Sequence, residues 1–140
     1  MTPDLYWLTL TAVSTVLMAF PYVFESIARL GPIAAVGYCA DKTSGGFERP
    51  NETPAAWAMR AYRAHRNAVE SFGIFAALIL TAHFMNLGSG IIADAAKVYF
   101  FARLAHYVVY TAGIPLLRTL TFFVGVGALA LIAYVLLTAA

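Results

Sequence analysis

Charge is scarce in this chain. Lysine and arginine number nine and aspartate and glutamate seven among 140 residues, so charged side chains are 11% of the whole. A soluble domain carries about a quarter, and with a mean hydropathy of +0.76 a soluble reading fails. The net charge of +2 is too small for a nucleic-acid-binding surface, and no basic cluster is interleaved with stacking aromatics. A single cysteine, Cys39, excludes an intrachain disulfide and any cysteine-rich metal site. Internal repeats and low-complexity tracts are missing as well. The N-terminus has neither a basic n-region nor a small-residue cleavage site before Pro21, so the first apolar run reads as a retained membrane helix.

What remains is four apolar runs. The first, about 5–28, is long enough to cross roughly 30 Å of hydrocarbon, with Pro21 inside it predicting a kink. Glu25 and Arg29 stand four apart, the helical spacing of an ion pair, and Arg29 is equally able to reach a ligand across the bundle. From about 30 to 53 the composition turns to glycine, proline and charge, which predicts a loop outside the bilayer. Thr53-Pro54 then reads as an N-cap and first turn, opening a second helix over about 54–86. The turn Asn86-Leu87-Gly88-Ser89-Gly90 leads to a third helix, about 92–113, and a break at Gly113 to Leu117 leads to a fourth, about 118–138. Gly125 and Gly127 in the fourth helix permit close helix approach. The expectation is an all-α integral membrane protein, a four-transmembrane-helix bundle forming a single domain over 1–140.

Polar residues in these helices are not scattered. Arg60, Arg63, Arg66, Asn67 and Glu70 fall within an arc of roughly 120° at about 100° per residue, while His65 points the other way. Arg60, nearest the helix start, fits snorkelling to the headgroups; Asn67 and Glu70 lie too deep for that and should face the bundle interior. In the third helix Arg103, His106, Tyr107 and Tyr110 share an arc of about 100°. An arginine facing lipid is costly, so this face should meet the Glu70 face, with an Arg103–Glu70 pair as the simplest structural arrangement. His83 reads as an interfacial residue rather than a ligand.

Six of the nine basic residues lie between Arg29 and Arg66, and Arg118 adds another at the turn between the third and fourth helices. The positive-inside rule then puts the polar stripe and Arg118 together at the cytosolic face, with both termini on the other side. Arg29, Arg63, Arg66, Asn67, Glu70, Arg103, Tyr110, Arg118 and the Thr119 hydroxyl form the candidate inventory. Surplus arginine in a half-buried pocket calls for an anion, because an unpaired guanidinium there costs several kcal/mol. Arginine grips carboxylates through paired hydrogen bonds, and Glu70 is suited to a ligand ammonium. A small molecule with more than one carboxylate and one amino group would satisfy the set. Neither metal-ligand spacing around His65 and His106 nor a serine–histidine–acid arrangement is evident.

Arg63-Ala64-His65-Arg66-Asn67-x-x-Glu70 resembles the second-helix signature of the MAPEG family, membrane-associated proteins of eicosanoid and glutathione metabolism. Arg103-Leu104-Ala105-His106-x-x-x-Tyr110 is similar to that family's third-helix pattern, and Arg118-Thr119-x-x-Phe122-Phe123-Val124-Gly125 to its fourth. The resemblance covers the chain from Arg29 onward, and it implies a homotrimer holding glutathione between adjacent subunits near the cytosolic face. It further implies that Arg29, Arg66, Asn67, Glu70, His106, Tyr110 and Arg118 bind glutathione, and that Arg118 and Thr119 stabilise its thiolate. Thr119 stands where the prostaglandin-forming members have serine. The turn from Tyr110 to Arg118 is one residue shorter than in characterised mammalian members, and Phe122 stands where some have tyrosine. The expected activity is a glutathione transferase or peroxidase acting on hydrophobic small molecules that arrive from membrane lipid, in the plasma (inner) membrane. A non-catalytic lipid- or glutathione-binding scaffold is the alternative. A small multidrug transporter fits less well, because transporter sites lie near the midplane and these charges gather at one interface.

Overall fold

The computed structural model describes residues 1–32 and 53–139. Most of the polar connection expected over 30–53, Cys39 included, lies outside the described residues. The described helices are α1 (Pro3–Leu17), α2 (Phe20–Leu30), α3 (Ala56–Phe84), α4 (Ile91–Ala112) and α5 (Pro115–Ala139). Taken as one span, Pro3–Leu30 is long and apolar enough to cross a membrane, as are α3 and α5. α4, which carries Asp94, Lys97 and Arg103, completes a four-span bundle.

The first span is broken rather than merely kinked. Pro21 has no N–H and its ring crowds the carbonyl four residues back, so the helix stops at Leu17 and restarts at Phe20. The Tyr107 hydroxyl donates to the Met18 carbonyl at 2.9 Å within this break, which takes Tyr107 away from the polar face of α4. Hydroxyls in α1 are satisfied along their own helix: Thr11 donates to the Trp7 carbonyl at 2.7 Å and Thr15 to that of Thr11 at 2.8 Å.

α3 begins two residues later than Thr53-Pro54 predicts. Ala55 occupies the N-cap position, and no side chain of that segment caps the helix. Instead Glu25, from α2, accepts the Ala55 N–H at 3.1 Å while pairing with Arg29 at 3.0 Å. One carboxylate thus serves both the end of the first span and the start of the second. α5 starts at Pro115, three residues earlier than expected, because proline's fixed φ suits a first turn. The break before it shrinks to Gly113 and Ile114. Gly113 has φ +81°, which favours glycine, and a Cβ there would press on Arg60 Nε at 3.2 Å. Arg60 donates from Nε to the Thr111 carbonyl at 2.9 Å, tying the start of α3 to the end of α4 instead of snorkelling.

α4 packs most extensively on α5 and next on α3, while α1 lies against both α3 and α4. Alanines 58, 61, 64 and 68 recur on the buried face of α3, and Phe75, Ile79 and Ala82 continue it. The main core joins these to Tyr99 and Ala96 of α4 and Ala128, Ile132 and Leu136 of α5. Phe75 and Tyr99 stack with centroids 4.2 Å apart. Large apolar side chains on the outer surfaces, among them Phe24, Val108, Leu116 and Leu137, are exposed, as a lipid-facing surface requires. The chain is an integral, multi-pass membrane protein.

Candidate functional site

α3, α4 and α5 enclose a cleft of about 530 Å³ at the end of the bundle where α4 turns into α5. Arg63, Arg66, Asn67 and Glu70 enter it from α3, His106 and Tyr110 from α4, and Arg118, Thr119, Phe122 and Phe123 from α5. The polar stripe of α3 and the polar face of α4 therefore meet, as their periodicity requires. Three guanidinium groups face this volume against one carboxylate.

The expected Arg103–Glu70 pair does not form. Glu70 sits on the outer side of the stripe and meets Arg66 one turn earlier at 3.4 Å, with both side chains 63% exposed. Asn67 is the residue that faces α4, and Arg103 donates from Nη2 to its Oδ1 at 2.7 Å. Arg103 itself is buried behind the cleft, with no carboxylate partner among the described residues. A guanidinium only donates, so this contact fixes the amide with its NH2 free to turn toward the cleft. Beneath it Ser71 donates to the Asn67 carbonyl at 2.9 Å and receives the Tyr99 hydroxyl at 3.0 Å.

His106 is buried, with Nδ1 3.1 Å from the Arg118 carbonyl and 3.2 Å from Thr121 Oγ1. A carbonyl only accepts, so Nδ1 carries the proton and Nε2 is an acceptor. Nε2 has no hydrogen-bond partner among the described residues. Thr121 lies one turn beyond Arg118, and its hydroxyl donates at 3.0 Å to the same Arg118 carbonyl that His106 meets. The Arg118 guanidinium lies over the Tyr110 ring at 4.9 Å, a cation–π contact that restrains it at the cleft. Because α5 starts at Pro115, the Arg118 N–H is already bonded to the Ile114 carbonyl at 3.1 Å, so Arg118 does not add a free helix-end N–H. Thr119 lines the cleft but donates its proton to the Pro115 carbonyl at 3.2 Å.

Arg29 is the one expected residue remote from this volume: it pairs with Glu25 on α2. His65 bonds the Tyr22 hydroxyl at 2.7 Å on the opposite side of α3. At the far end of the bundle, His83 Nδ1 stands 3.0 Å from Asp4 Oδ2, a fully buried carboxylate that no local sequence pattern marks. Among the described residues no three His, Cys, Asp or Glu side chains converge on a metal position.

The family model for the MAPEG family matches residues 4–138. The chain belongs to the MAPEG family. Comparison with curated proteins finds no match. Membership accounts for the four-span bundle, and it places the chain in a group of glutathione-related membrane enzymes. The MAPEG signature residues of the second helix are those that line the cleft, with His65 and Ala64 turned into the packing between helices.

Proposed function

We propose that this MAPEG protein is a glutathione-dependent transferase or peroxidase acting on hydrophobic electrophiles that reach it from the lipid. The observation that carries the reading is the charge imbalance of the cleft, Arg63, Arg66 and Arg118 against Glu70 alone. Glutathione, with two carboxylates and one ammonium group, complements it: the arginines of α3 take carboxylates and Glu70 takes the ammonium. Asn67 offers its NH2 to a ligand carbonyl or carboxylate, and Arg103 acts through Asn67 as a positioning residue. His106 lines the same cleft and carries a buried Nε2 with no partner among the described residues. The thiol is assigned to the Arg118 end, where a neighbouring guanidinium favours the thiolate, the nucleophilic form. Thr119 supports it in this reading. Phe122 and Phe123 give the same end an apolar wall for the electrophile.

In a homotrimer with glutathione between adjacent subunits, Arg29 reaches the cleft from a neighbouring copy, which reconciles its position on α2 with a binding role. The positive-inside rule puts the cleft at the cytosolic face. One observation favours the non-catalytic scaffold instead: the Thr119 proton is directed to its own helix rather than to the cleft. Glutathione binding to detergent-purified protein, followed by a chromogenic-electrophile assay on the same sample, tests the proposal. Binding with turnover is the expected result. Binding without turnover leaves the scaffold, and no binding overturns both.

A further inference from the structure

A second volume, sharing no lining residue with the cleft, opens between α4 and α5 on the outer side of that helix pair. It measures about 550 Å³, and Val98, Phe101, Ala105 and Val124 make its walls apolar. Thr121 closes one end; Asp94 and Lys97 flank the other. We propose that this groove is a binding site for one acyl chain of a phospholipid with a zwitterionic headgroup, the headgroup seated at Asp94 and Lys97.

Three observations lead to this occupant. Asp94 lies in the first turn of α4, so it stands at the level where the bundle leaves the hydrocarbon. From Asp94 to Ala105 the helix rises about 16 Å, roughly half of a 30 Å hydrocarbon core. The groove therefore runs from the interface to the midplane, the depth of one leaflet and of one acyl chain. The charges at its mouth carry both signs, and although they are three residues apart on one helix, no ion pair joins them. Lys97 instead holds its ammonium 6.0 Å from the centroid of the Trp7 ring, and Trp7 also packs on Phe101 at 5.9 Å. That leaves a restrained cation for a phosphate and a separate carboxylate for a headgroup ammonium. An anionic headgroup would engage Lys97 and meet repulsion from Asp94. A free phosphate would find no use for the apolar walls. The inference stands apart from the glutathione reading, since the two volumes lie on opposite sides of the wall formed by His106 and Thr121.

Native mass spectrometry of the full chain tests it, after equilibration with equal amounts of phosphatidylethanolamine and phosphatidylglycerol bearing identical acyl chains. The wild type should retain one phosphatidylethanolamine per chain in preference to phosphatidylglycerol by about tenfold. Ala105→Trp, which fills the groove, should abolish retention of both lipids. Asp94→Asn should bring the headgroup preference close to unity, and Lys97→Gln should weaken both lipids together. These two surface variants read the site even where the tryptophan disturbs folding. Equal retention of the two lipids by the wild type would overturn the proposal. So would unchanged retention in Ala105→Trp, and if that variant instead separates copies of the chain, the groove belongs to an interface between them.

Discussion

Arg103 reaches across the helix interface to place Nη2 2.7 Å from Oδ1 of Asn67, and so settles which face of that amide looks into the cleft. Asn67→Asp would replace a neutral acceptor by a carboxylate against a buried guanidinium. The variant should unfold at a higher temperature than the wild type, because the buried charge gains a counter-ion. Its glutathione affinity should fall by on the order of 1–3 kcal/mol, since the donor to the cleft is gone and a negative charge stands in its place. Thermal denaturation and isothermal titration on one preparation check the two opposed changes.

Arg66 and Glu70 should act on opposite ends of one ligand. Their mutual contact is long, and a pair this exposed contributes roughly 0–1 kcal/mol to the fold. Arg66→Ala and Glu70→Ala should each weaken glutathione binding by on the order of 1–3 kcal/mol while barely moving the melting temperature. Wild-type binding with lost thermal stability in both variants would make the pair structural.

Arg118 should set the ionisation of the bound thiol. In the wild type the thiolate absorbance of bound glutathione should titrate below the free value of about 8.5. Arg118→Leu should still bind and return the midpoint toward that value. A depressed midpoint that survives in the variant would move the role to another group, with Arg103 and Tyr110 next.

Two glycines should respond in opposite ways to alanine. A Cβ on Gly88 would overlap the carboxylate of Asp4, so Gly88→Ala should destabilise by about 1–3 kcal/mol, the usual range for overpacking. At Gly125 the added atom would rest 3.6 Å from Arg103 Cδ, ordinary contact. Gly125→Ala should therefore be tolerated, and stabilised by up to about 1 kcal/mol from helix propensity. Melting temperatures of the two variants give the comparison.

The orientation is open to a direct check through Cys39, the chain's single cysteine. With the polar connection in the cytosol, an impermeant maleimide should leave Cys39 unlabelled in intact cells and label it after lysis. Ready labelling of intact cells would place the cleft at the outer face.

The α3 stripe was legible in the sequence because helical periodicity alone decides which side chains share a face, and Arg63, Arg66, Asn67 and Glu70 do line one cleft. Partner choice within that face was not. Whether Asn67 or Glu70 meets Arg103 depends on the rotation of α3 against α4, a difference of a few tens of degrees that spacing does not encode. Contacts between distant segments were hidden for the same reason. Nothing near Ala55 announces that Glu25 caps it, and nothing near Asp4 announces His83. Gly125 and Gly127 illustrate the reverse: a pattern suggesting tight approach, where one has room for a methyl group and the other faces open space.

The double use of Glu25 has a practical consequence. Its carboxylate clamps the end of α2 to the first residue before α3, so the two helices are registered by a contact between their own ends. Glu25→Ala would therefore free both ends together, the last turn of α2 and the first N–H before α3, in a single substitution.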